Sequence, residues 1–170
     1  MAITPLLLAT WYGAQRLAQA ATPPHRPIVD AELLAAVLAA GDTSGWSSEQ
    51  IADALGAIAN AQSACDAAKA EANSYVLLRA SSVPAPAPDV LNVWEGRIAW
   101  YRLHPDLRIS AEGTADGRHP IHRDYDDAIK SLRDYRDGKQ GLGIPQDANV
   151  PPATAEVEWQ SKPTQWTRSL

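Results

Sequence analysis

The sequence predicts an all-α protein, a small helical bundle with one long Ala-rich helix over residues 1–144 and an extended C-terminal tail over 145–170. Three observations lead there. Alanine, the best helix former and a poor strand former, supplies 31 of the 170 residues. Phe is absent and aromatics make up only 6%, which argues against an all-β sandwich or barrel. Apolar residues also recur at three- and four-residue steps in five separate stretches. Small side chains each bury little surface, at roughly 25 cal/mol per Å². Such a chain needs close helix packing, or neighbouring subunits, to build a large hydrophobic term.

The elements follow in order. Thr4-Pro5 reads as a cap followed by Pro at the first helical position. Leu7, Trp11, Ala14, Leu17 and Ala18 then predict a helix over 5–20, broken by Thr22-Pro23-Pro24. Asp30 caps a short helix with Leu33, Leu34, Val37 and Leu38 on one face, ending at Gly41. The longest helix, over 48–79, is opened by Ser48-Glu49. Its predicted seam is Ile51, Leu55, Ile58, Gln62, Cys65, Lys69, Ala72 and Val76, a heptad spacing with small or polar members in the middle. Residues 81–88 alternate Pro with small residues and read as extended linker. Asp89 caps a helix over 90–104 with Leu91, Trp94, Ile98 and Tyr101 on a face, and His104-Pro105 ends it. A polar loop, 106–117, precedes a last helix over 119–137 bearing Ile121, Tyr125, Ala128, Leu132 and Tyr135, which stops at Gly138. Beyond Pro145 periodicity is lost. Only Ala155 to Trp159 alternates, as an edge strand does. Trp159 and Trp166 there have no core to fill, so the tail reads as a segment that orders against a partner.

Charge and cysteine content narrow the function. The net charge of -5 has the wrong sign for a generic nucleic-acid binder. One cysteine, Cys65, allows no internal disulfide and fits a reducing compartment; on the seam it reads as a small core residue. No apolar run approaches the roughly 18 residues that span a bilayer. Residues 30–79 hold seven acids against two bases, whereas 118–139 hold six bases against five aspartates. Complementary faces on neighbouring subunits account for that asymmetry, and so does pairing along a solvated helix.

Candidate chemistry is thin. His119 and His122 could share a helix face and hold a metal ion, but no second pair exists and Pro120 lies between them. They read as a surface pair at a helix start. Gly138-Lys139-Gln140-Gly141-Leu142-Gly143 follows a helix instead of feeding one, so it reads as a cap and turn, not a phosphate loop. Asp42 to Trp46 lacks the acids of a calcium loop. No motif calls for a cofactor. Residues 48–60 resemble the start of a helix-turn-helix with its turn at Gly56, which is the rival reading, a DNA-binding regulator. The helix that follows carries no base.

Three phrases carry a family resemblance. Pro88-Asp89-Val90-Leu91 leads to Arg97-Ile98-Ala99-Trp100-Tyr101-Arg102-Leu103-His104. Then come His122-Arg123-Asp124-Tyr125-Asp126-Asp127-Ala128-Ile129-Lys130-Ser131-Leu132 and the Gly138 to Gly143 phrase. In this order, over about residues 4–144, the chain resembles the Mu-like tailed-phage head–tail connector family. The stretch 22–48 is longer than that pattern, Trp100 replaces a smaller residue, and the tail is poorly matched. The resemblance implies a non-enzymatic head-to-tail adaptor of the virion neck, assembled in the bacterial host cytoplasm. Its implied partners are the portal protein, a stopper or tail-completion protein, and copies of itself in a ring, a dodecamer, through which packaged DNA passes without specific binding. On that reading residues 1–144 are the adaptor domain and 145–170 the docking tail, with Val157, Trp159, Trp166 and Arg168 as its contacts. The acid excess places Glu49, Asp53, Asp66 and Glu71 as candidates to face the channel and repel phosphates.

Overall fold

The structure, a computed structural model, describes residues 3–106 and 119–144. Among them it is all-helical with no strand: α1 (Pro5–Tyr12), α2 (Ala14–Ala21), α3 (Ala31–Leu38), α4 (Ser48–Val76), α5 (Asp89–Arg102) and α6 (Pro120–Arg136). No described helix is long and apolar enough to cross a membrane.

α4 organises the bundle, because it packs against each of the other five. Its 29 residues make a rod of about 43 Å at 1.5 Å per residue. Ser47 caps it by accepting from the Gln50 N–H, and the Gln50 side chain accepts in return from the Ser47 N–H, a reciprocal capping box. Its buried face is Ala54, Ala57, Ala61, Ala64, Cys65, Ala68, Ala72 and Val76. This corrects the predicted seam. Leu55, Gln62 and Lys69 are exposed, while Ile51 and Ile58 are half-buried. The helix is rotated so that methyl groups meet its neighbours, which lets their backbones come close. It also ends at Val76 rather than 79, and it runs unbroken through Gly56. The turn required for a helix-turn-helix over 48–60 is therefore absent.

The expected helix over 5–20 is two helices. Gly13 takes φ 90° and ψ 142° between them, a conformation that favours glycine. Thr4 caps α1 and Pro5 stands first in it, as its sequence requires. Asp30 Oδ1 accepts from the N–H groups of Glu32 and Leu33 at the start of α3. Asp89, by contrast, is no cap: Pro88 occupies that position and Asp89 is the first residue of α5.

α5 lies against α4 and α6, and nine of its residues are buried, well beyond the single predicted face of Leu91, Trp94, Ile98 and Tyr101. Gly96 explains part of this. The Trp11 ring packs where a Gly96 side chain would stand, so α1 closes onto α5 only over a glycine. α6 buries Ala128, Ile129, Leu132 and Tyr135, close to the expected stripe. Arg79 is buried and donates from Nη1 to the Tyr135 carbonyl at 3.1 Å, holding the end of α4 to the end of α6.

The end of α3 carries one strained residue. The Gly41 N–H donates to the Ala36 carbonyl at 2.8 Å and the Ala40 N–H to Val37 at 3.2 Å, the paired bonds of a Schellman cap. The left-handed position of that cap is held by Ala40, at φ 51°, and not by Gly41. Ala40→Gly is expected to stabilise the protein by about 1 kcal/mol, read as a higher urea midpoint at unchanged slope. A lower midpoint contradicts this account of the cap.

Candidate functional surfaces

The four acids selected for a channel face do not form one row. At 100° per residue, Asp53 and Glu71 fall within about 40° of Glu49, whereas Asp66 is turned about 100° from it. Two of them are also engaged inside the protomer. Asp53 Oδ1 lies 2.6 Å from Arg26 Nη1, tying α4 to the segment after α2. Glu71 is shared by three helices, because its Oε2 accepts from Arg102 on α5 at 2.7 Å and its Oε1 from the Tyr125 hydroxyl on α6 at 3.0 Å. Burial first, then the Glu71 charge and hydrogen bond, push the Tyr125 phenol up to about 12. Glu49 and Asp66 are exposed, Asp66 with a hydrogen bond from Gln62. Val157, Trp159, Trp166 and Arg168 lie outside the described residues, as does the alternating stretch 155–159.

The two histidines serve separate purposes. His119 precedes α6, and its Nδ1 accepts from the Ile121 N–H at 3.3 Å. His122 places Nδ1 3.1 Å from Asp126 Oδ2 and meets the Tyr101 ring edge-on. Among the described residues no group of three or more His, Cys, Asp or Glu is placed to hold a metal ion. His104 donates from Nδ1 to the Trp100 carbonyl at 2.8 Å, consistent with a helix-end role. The calcium-like phrase is a local turn in which Asp42 Oδ1 accepts from the Ser44 N–H. Gly138 terminates α6, so its phrase is a cap.

Sequence reasoning missed an open cleft of about 1280 Å³ between α2, α4 and the facing ends of α5 and α6. Tyr12 and Trp100 stack flat along it, centroids 4.1 Å apart, with Arg16, Asn60 and Arg102 on its walls. The contact joins residues far apart in the chain and has no sequence signal. A second, smaller pocket of about 220 Å³ lies between α3 and α4, bounded by Pro27, Ile28, Leu33, Gln50, Asp30 and Asp53.

Two buried titratable groups face each other across α4 and α5. Cys65 is 1% exposed; burial first, then Asp66 and Glu95, push its thiol up to about 12. It is a core residue without thiolate character at neutral pH. Glu95, 2% exposed, has its carboxyl pushed above the ordinary value by burial, partly offset by Lys69. Its folded form therefore holds its proton more tightly than the unfolded chain does. Stability from this group is full below the ordinary carboxylate range and is lost as pH rises from there through the raised folded value. Glu95→Gln is expected to raise the urea midpoint at neutral pH and to leave it unchanged in acid. A loss at neutral pH contradicts this reading.

The comparison with known families is decisive at the coarse level. The family described as Bacteriophage Mu, Gp36 matches residues 4–161. The chain belongs to that family and is a Mu-like phage protein. The match continues beyond Ile144 and takes in Val157 and Trp159. No curated protein and no solved structure matches the chain.

Proposed function

We propose that this protein is a structural component of the virion, a head-to-tail adaptor that forms a ring between the portal and the stopper or tail of the phage neck. Packaged DNA passes through the lumen without specific binding. The observation that carries the reading is the family match over 4–161, whose membership points to a phage structural or morphogenesis protein. The protomer is consistent with it. A bundle built on alanine gains by packing against copies of itself, and Leu6, Trp11, Leu77, Leu78, Val90 and Val93 remain exposed. Acids exposed on α4, Glu49 and Asp66, repel phosphates when turned toward a lumen. The tail then docks on the portal or on an adjacent subunit, and no step calls for catalysis or a cofactor.

Truncation after Ile144 is expected to leave a folded protomer that no longer sediments with the portal protein of the same phage. Undiminished co-sedimentation removes the tail from the account. The full-length chain is expected to show no salt-dependent shift of duplex DNA; such a shift supports the regulator reading instead.

A further inference from the structure

We infer that the small pocket between α3 and α4 receives residues 160–170 of a neighbouring copy, with the Trp166 indole inside it and Lys162 and Arg168 against the surrounding carboxylates. The inference rests on the adaptor reading only in requiring copies side by side.

The pocket, about 220 Å³, is sized for one bicyclic side chain. Pro27, Ile28 and Leu33 supply apolar walls and Asp30 supplies a carboxylate at its edge; Asp53, also at the edge, is already paired with Arg26. Ile28 is 66% exposed, so one wall stands open to solvent. Asp30 caps α3 with Oδ1, leaving its second oxygen to accept. The surrounding charge is mostly acidic: residues 27–68 contain six acids and no Lys, Arg or His, with Arg26 just before them paired to Asp53. Residues 160–170 are the converse, with Lys162 and Arg168 on either side of Trp166 and no acidic side chain. Trp and Arg are the side chains that most often anchor an interface when seated in a pocket.

The arrangement of the helices selects a neighbour over the same copy. α3 packs on α1, α2 and α4, and α6 packs on α4 and α5, with no substantial contact between α3 and α6. The two therefore flank α4 on different sides. Leu142 and Ile144 are buried at the end of α6, so the tail departs from that side. Residues 145–159 reach at most about 50 Å when extended, enough to cross to an adjacent protomer. A tail leaving one flank and binding the other flank of the next copy is a heterologous contact, the kind that closes into a ring.

Disulfide trapping tests it. Full-length chains carrying Ile28→Cys are mixed with chains carrying Thr167→Cys and oxidised; Cys65 stays silent because its thiol is buried. The expected product is a mixed covalent dimer. Trp166→Ala in the tail donor lowers its yield roughly tenfold, the scale of one interface anchor. Lys162→Glu with Arg168→Glu lowers it as well. A yield no greater than with the exposed control Ser81→Cys in place of Ile28→Cys overturns the inference. So does a chain carrying both Ile28→Cys and Thr167→Cys that closes the bond only within itself when the two single variants do not cross-link. Rings that form on the portal with Trp166→Ala as readily as without it overturn the contact and leave the adaptor reading standing. Trapped dimers that never build a ring on the portal support the contact and overturn the adaptor reading.

Discussion

Everything in this protomer depends on how closely other helices approach the alanine face of α4. That face contributes Ala54, Ala57, Ala61, Ala64, Ala68 and Ala72, all buried, and α4 packs against every other described helix. Methyl groups remove little apolar area from water, so transfer energy per residue is small. What they allow is a short interhelical distance, and with it many dispersion contacts between backbones and the larger side chains opposite. Those larger side chains, Leu8, Leu17, Leu33, Leu34, Leu91, Ile98 and Leu132, come from the surrounding helices. The rod is smooth and its neighbours carry the bulk. Gly96 repeats the principle on a smaller scale, where α5 gives up a side chain to admit Trp11.

The same constraint explains what could be read from the sequence. α6 was legible because its polar and apolar residues separate cleanly, and Tyr125, Ala128, Leu132 and Tyr135 lie on its inner side as expected. α4 was legible as a helix, down to its start, yet its orientation was not. Alanine occurs on both faces: Ala54, Ala57 and Ala61 are buried while Ala52, Ala59 and Ala70 are exposed. Periodicity then follows the few bulky residues, Ile51, Leu55 and Ile58, and these mark a flank. The break at Gly13 escaped because the apolar steps continue across it. The candidate site suffered from distance along the chain. Glu71 reads as a free acid until Arg102 and Tyr125, 31 and 54 residues further on, are brought to it. The cysteine was legible as a small core residue; the histidine pair was not, because His122 is part-buried against Tyr101, a contact between residues far apart in the chain.

Family membership makes this chain a Mu-like phage protein, and the architecture bears on the proposed role. The proposed adaptor role draws on the alanine rod of α4 and on the acids that remain exposed along it. Glu49 and Asp66 are the α4 acids from the candidate set that remain turned to solvent. Asp53 and Glu71 hold the protomer together and have correspondingly little charge to offer a channel. The tail, matched by the family through residue 161, is the segment through which assembly is expected to act.

A matched pair of enlargements tests the central claim most directly. Ala61 is fully buried and Ala59, two residues away, is exposed; Leu suits a helix at either place. By chemical denaturation, Ala61→Leu is predicted to lower stability by about 1–3 kcal/mol or more, the usual range for overpacking. Ala59→Leu is predicted to stay within about 0.5 kcal/mol of the parent. Equal tolerance of leucine at both positions would mean that α4 does not meet its neighbours through alanine, and the account would fail at its root.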